Sequence, residues 1–188
     1  MGLANWLTVI RILLIPVFVI LLVYRRVTGA LVVFILASLT DTLDGYIART
    51  RGSQTRLGAF LDPMADKLLI TASFITLTAL KMLPFWITAV VISRDLLLIL
   101  GTALVHISGG QVHPSPTLLG KATTVLQMST VLLAMLGRYF AAAAALKDGC
   151  IWVTAIFSAA SGVQYLYMGS KFLNGSANKE INASKNAR

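Results

Sequence analysis

The sequence predicts an all-α protein, an integral membrane bundle of six transmembrane helices. Three observations carry that expectation. Hydrophobic residues make up 57% of the 188-residue chain and its mean hydropathy is +0.81, more apolar surface than a soluble core of this length can hide. Charged residues account for only 12%, about half of the roughly 25% usual for a soluble domain. The apolar residues also fall into six runs, each close to the roughly 17–25 residues that cross hydrocarbon as a helix.

The first run is Leu7–Tyr24. It lacks the short core and small-residue cleavage site of a signal peptide and reads as retained. Pro16 bends such a helix. Arg11, one turn inside, is either a snorkelling arginine or one held near a lipid phosphate. The second and third runs, Ala30–Ala48 and Ala59–Leu80, flank a polar turn around Arg51, Gly52 and Ser53. The fourth, Phe85–His106, carries Arg94 and Asp95 mid-span, where a charged pair is costly and marks a candidate functional site. It reads either as an ion pair holding helices together or as Arg94 facing a cavity to bind an anion. The fifth and sixth runs are Leu118–Gly137 and Cys150–Met168. Short connections make neighbouring helices antiparallel. Residues 1–173 form one domain, and residues 174–188 a polar, frayed C-terminal tail.

Charge sets the orientation. With the N-terminus in the cytoplasm, Arg49, Arg51, Arg56, Lys67, Lys121, Lys171, Lys179, Lys185 and Arg188 lie on that side. Arg25, Arg26, Lys81, Arg138 and Lys147 lie on the other. The excess favours this topology, with the inner membrane implied for a bacterial protein. The net charge of +9 suits anionic membrane lipid. The basic residues form no aromatic-interleaved patch, which argues against nucleic acid. Trp6, Tyr24, Trp86 and Tyr139 fall where an interfacial belt would sit. Ala72, Ala79, Ala89 and Gly101 permit close helix packing. The single cysteine, Cys150, excludes an internal disulfide, and His106 and His113 read as interfacial.

Four of the seven acidic residues lie between Asp41 and Asp66. At about 100° per residue, Asp41, Asp44, Gly45 and Ala48 share one helical face, with Arg49 at its margin. Gly58, Asp62 and Asp66 share a face on the next helix. Two helices joined by a short turn bring the faces together, and four converging carboxylates require positive charge between them. Oxygen ligands without Cys or His point to Mg²⁺ or Mn²⁺ held by Asp41, Asp44, Asp62 and Asp66.

The full spacing, D-x2-D-G-x2-A-R-x8-G-x3-D-x3-D, resembles the signature of the CDP-alcohol phosphotransferase family at every defined position. That resemblance implies two metal ions, a homodimer, and a reaction in which an acceptor hydroxyl displaces CMP from CDP-diacylglycerol. It implies that Asp66 is both metal ligand and general base, and that Asp41, Gly45, Ala48, Arg49 and Gly58 bind the cytidine diphosphate. Arg56, Arg94, Lys121 and Arg11 are the candidate acceptor or phosphate contacts. The opening NWLTVIR and the stretch GKATTVLQ resemble phosphatidylglycerolphosphate synthases, for which the acceptor is glycerol 3-phosphate, although Ala4 stands where those usually carry proline. The stretches DPMADKLLI and VISRDLLLI resemble equally the family's cardiolipin synthases, which use phosphatidylglycerol. Glycerol 3-phosphate is the preferred reading. A cation transporter is the alternative from another class, since intramembrane aspartates mark ion paths. It leaves Gly45, Ala48, Arg49 and Gly58 without a reason.

Overall fold

Each of the six apolar runs becomes a helix in the computed structural model. They are α1 (Leu3–Val23), α2 (Val27–Arg51), α3 (Arg56–Ala79), α4 (Phe85–Ile107), α5 (Leu118–Leu136) and α6 (Ala141–Asn186). The structure describes the backbone of residues 3–51, 56–107 and 118–186, and the side chains of residues 9–40, 67–101 and 118–167. Among the described residues there is no strand.

Helix ends follow local chemistry. α1 and α3 stop at Arg25 and Lys81, both with φ of 60°, the left-handed conformation that closes a helix and that glycine usually supplies. The closing hydrogen bonds are alike. Arg26 N donates to Leu21 O at 2.8 Å and Met82 N to Leu77 O at 2.8 Å. α5 ends at Leu136 with Gly137 following, where a Cβ would stand 3.2 Å from Ala144 Cα. α6 begins at Ala141, nine residues before its expected start at Cys150, because the Ala141–Ala145 run is strongly helix-forming. It also continues to Asn186, so the frayed tail expected from Asn174 onward is helical backbone. No proline interrupts that stretch.

α3 lies at the centre, packed against α1, α4 and α5; α1 pairs with α2, and α6 with α4 and α5. One apolar core joins Phe18, Phe34, Phe74, Ile87, Met135 and Ile151 from all six helices. Phe18 and Phe34 meet with ring centroids 5.7 Å apart.

The outside is apolar and part of the inside is polar. Leu13 is 62% exposed, Ile156 63% and Val163 66%, whereas Arg11, Thr123, Gln127, Thr130, Thr154, Ser158 and Ser161 are buried. Several hydroxyls bond to the carbonyl one turn back, as Ser73 does to Leu69 O at 2.7 Å, which satisfies them without water. Two helices among the described residues, Leu118–Leu136 and Ala141–Tyr167, are long and apolar enough to cross a bilayer. Three of the small residues expected at helix contacts do not serve there. Ala79 and Ala89 are exposed, and a Cβ on Gly101 would meet nothing within 4 Å. Tyr24, Trp86 and Tyr139 are exposed at the ends of α1, α4 and α5.

Candidate functional site

The acidic motif is divided between two consecutive helices. Asp41, Asp44, Gly45, Ala48 and Arg49 belong to the C-terminal part of α2; Arg56, Gly58, Asp62 and Asp66 belong to the first half of α3. The helical backbone bears out the periodicity from which the shared faces were reasoned. The side chains of these nine residues lie outside the described residues, and so does the turn at residues 52–55.

The described part of the site begins at Lys67, directly after Asp66. Lys67 Nζ donates to Asp95 Oδ1 at 2.8 Å, joining α3 to α4. The same oxygen accepts from Arg94 Nη1 at 2.6 Å. Arg94 Nε and Nη2 reach Ser161 Oγ on α6 at 3.3 and 3.2 Å. Arg94 and Asp95 are each 4% exposed, and Asp95 Oδ2 has no partner among the described residues. Two cations share one carboxylate oxygen, so the cluster carries a net positive charge. Its geometry is that of an ion-pair network tying three helices. An acceptor phosphate binding to Arg94 would share a guanidinium already bonded to Asp95 and Ser161.

The other candidates separate. Arg11 is fully buried on α1, the helix packed on both motif helices. Lys121 is exposed on the first turn of α5, Thr124 is half-buried, and Gln127 is fully buried. The K-x-x-T-x-x-Q pattern therefore runs from the surface into the core. Neither amide atom of Gln127 has a hydrogen-bond partner among the described residues. Lys121 and Arg94 sit on helices that each pack against α3 and α6. Sequence reasoning counted Lys67 only as a cytoplasmic charge and passed over Ser161. The sequence signalled only that partners exist, since neighbouring residues on a helix diverge by about 100° and a buried Arg-Asp pair needs further partners on other helices; it did not name them.

An acidic motif split over two helices, in a bundle whose described outer faces are apolar, suits a membrane-associated protein. Comparison with known proteins agrees. The chain belongs to the CDP-alcohol phosphatidyltransferase family, whose model matches residues 1–160. It is 34% identical over 182 residues to a CDP-diacylglycerol–glycerol-3-phosphate 3-phosphatidyltransferase of Bacillus subtilis, covering 87% of this chain and 93% of the relative. The similarly named protein of Sodalis glossinidius is 31% identical over 173 residues, covering 89% and 94%. Human cardiolipin synthase (CMP-forming) is 34% identical over 184 residues, covering 89% of this chain and 61% of the relative. The chain thus spans less than two thirds of that relative.

Proposed function

We propose that the protein transfers the phosphatidyl group of CDP-diacylglycerol to the hydroxyl of glycerol 3-phosphate and releases CMP. The observation that carries this reading is a match over most of both chains. The chain covers 93% of a bacterial relative named for that reaction, and the whole acidic motif is present between Asp41 and Asp66. Identity alone does not choose the acceptor, because the human cardiolipin synthase is also 34% identical. The opening NWLTVIR and the stretch GKATTVLQ favour glycerol 3-phosphate.

The residues account for the chemistry. Asp41, Asp44, Asp62 and Asp66 form an all-oxygen donor set at helical spacings of three and four residues, which suits Mg²⁺ or Mn²⁺. Lys67 is turned to Asp95 on α4 and does not take the place of such an ion. When bound, a divalent ion neutralises the pyrophosphate and stabilises the leaving CMP. Asp66 takes the proton from the acceptor hydroxyl as its oxygen forms the new bond to the lipid-linked phosphorus. The bond to the CMP oxygen breaks, and CMP leaves with the electron pair. Gly45, Ala48 and Gly58 lack bulk where the nucleotide lies, and Arg49 pairs with its phosphate. Arg11, Arg56 and Lys121 are the basic residues assigned to the acceptor side, with Arg94 held in the ion-pair network on α4. An apolar groove of about 340 Å³ between α1 and α3, lined by Ile15, Pro16, Leu68 and Ala72 among others, offers a place for a donor acyl chain.

The reading includes six membrane spans, an active site facing the cytoplasm, and a homodimer. The apolar outer faces support the first and the charge distribution the second. Purified protein incubated with labelled CDP-diacylglycerol and a panel of acceptors tests the proposal. Metal-dependent CMP release with glycerol 3-phosphate is expected, which a cation transporter would not give. Conversion of phosphatidylglycerol to cardiolipin, with no use of glycerol 3-phosphate, would overturn it in favour of the second reading. The VISRDLLLI stretch and the human relative favour that second reading.

A further inference from the structure

The α3–α4 hairpin is tied at two points along one line. At the end near the connection, Thr78 Oγ1 and Thr88 Oγ1 are 2.6 Å apart. At the other, Lys67 Nζ donates to Asp95 Oδ1 at 2.8 Å. Lys67 and Thr78 are eleven residues apart on α3, and Asp95 and Thr88 seven apart on α4. Either separation brings a helix back to within about 20° of the same azimuth. The two ties therefore fix the roll of α3 against α4. The Thr78–Thr88 tie is about 16 Å along α3 from Lys67, while the Lys67–Asp95 tie is one residue from Asp66. Asp95 is itself held to α4's own Arg94 at 2.6 Å, and Arg94 to α6 through Ser161. The anchor to which Lys67 is bound is thus itself tied to α6 through Arg94 and is more than nine-tenths buried.

From this we infer that Lys67 and Asp95 are positioning residues for Asp66. Their ion pair sets the azimuth of α3 at its acidic end, and with it the line carrying Asp62 and Asp66. The inference rests on the assignment of Asp66 as general base and metal ligand. Lys67 is only a quarter exposed at its side chain, and its charge is already engaged, so its expected contribution is to orientation and turnover.

The test uses the full-length protein with the variants Lys67→Met, Lys67→Arg, Asp95→Asn and Thr88→Val. Lys67→Met leaves Asp95 paired with Arg94, so the fold is retained even where Asp95→Asn expresses poorly. At saturating Mn²⁺, Lys67→Met and Asp95→Asn should each lower kcat about tenfold to a hundredfold, the scale of a misplaced reacting group. KM for glycerol 3-phosphate should move less than about threefold. Affinity for Mn²⁺ alone, read from the free-ion paramagnetic resonance signal, should fall about tenfold. Lys67→Arg should restore most of the turnover, and the Lys67→Met/Asp95→Asn double variant should be no worse than the poorer single one. Thr88→Val, which breaks the distant tie, should keep wild-type kcat. Wild-type kcat and Mn²⁺ affinity in Lys67→Met would overturn the inference, as would equal losses in Thr88→Val, which would make the pair one more structural tie. A raised KM for glycerol 3-phosphate at unchanged kcat would instead make Lys67 an acceptor contact. Asp66→Asn is measured separately, and turnover in that variant would remove the base assignment itself.

Discussion

Replacing Asp41, Asp44 or Asp62 with Asn keeps the side chain's shape and removes its charge. If these residues hold the cation that neutralises the donor's pyrophosphate, each variant should lose at least about a hundredfold in activity, with monodispersity in detergent retained. Wild-type turnover in all three would refute the assignment. Lys121 and Arg94 were alike as candidates in the sequence, and their surroundings now separate them. Lys121 is exposed, so Lys121→Ala should leave thermal stability unchanged. It should raise the apparent KM for glycerol 3-phosphate about ten- to a hundredfold, from losing a charge-assisted bond of about 1.5–3 kcal/mol. Arg94→Ala removes a guanidinium bonded to Asp95 and Ser161. Breaking a buried pair costs up to about 3–5 kcal/mol, moderated here because Lys67 remains on Asp95. A thermal unfolding midpoint well below that of Lys121→Ala is the expected outcome, and equal midpoints would contradict the ion-pair reading.

Among the elements, α5 and α6 show how polar side chains hold apolar helices together. Thr130 Oγ1 and Thr154 Oγ1 lie 2.8 Å apart. Thr154 also donates to Leu126 O at 3.2 Å and Thr123 to Phe157 O at 3.3 Å. Lipid offers helices no hydrophobic reason to associate, so such bonds and close packing carry the contact. Thr130→Val and Thr154→Val should each destabilise by about 0.6–1.7 kcal/mol. The double variant should cost less than their sum, since both remove the same bond. Strict additivity in thermal unfolding would show that the two hydroxyls are not coupled. The helix boundaries were legible to within a few residues wherever apolar runs met polar turns. They were least legible at α6, where an alanine run contributes helix propensity without a strong apolar signal.

At the scale of the molecule, α6 is 46 residues long, about 70 Å, more than twice the roughly 30 Å of hydrocarbon in a bilayer. Its apolar part, Ala141–Tyr167, is the part suited to a membrane. Orientation is open to a direct measurement. With Cys150→Ser, which keeps a hydroxyl near Thr130 where the thiol now lies at 3.3 Å, Ser53→Cys becomes the one thiol of the chain. It should resist an impermeant maleimide in intact cells and react after lysis. Ready labelling of intact cells would reverse the topology.

Six apolar runs and the division of the acidic motif across α2 and α3 could be read from the chain. They depend on hydrophobicity and periodicity, which are properties of neighbouring residues. Which side chains meet across helices could not. Asp95 finds Lys67 at a separation of 28 residues, and Arg94 finds Ser161 at 67. Those pairings depend on the roll and order of three packed helices, and a change of one residue in register would point each side chain about 100° away. The sequence by itself determined that a buried charged pair stood mid-span in α4. Only the tertiary structure decided that its carboxylate reaches back to the residue following Asp66.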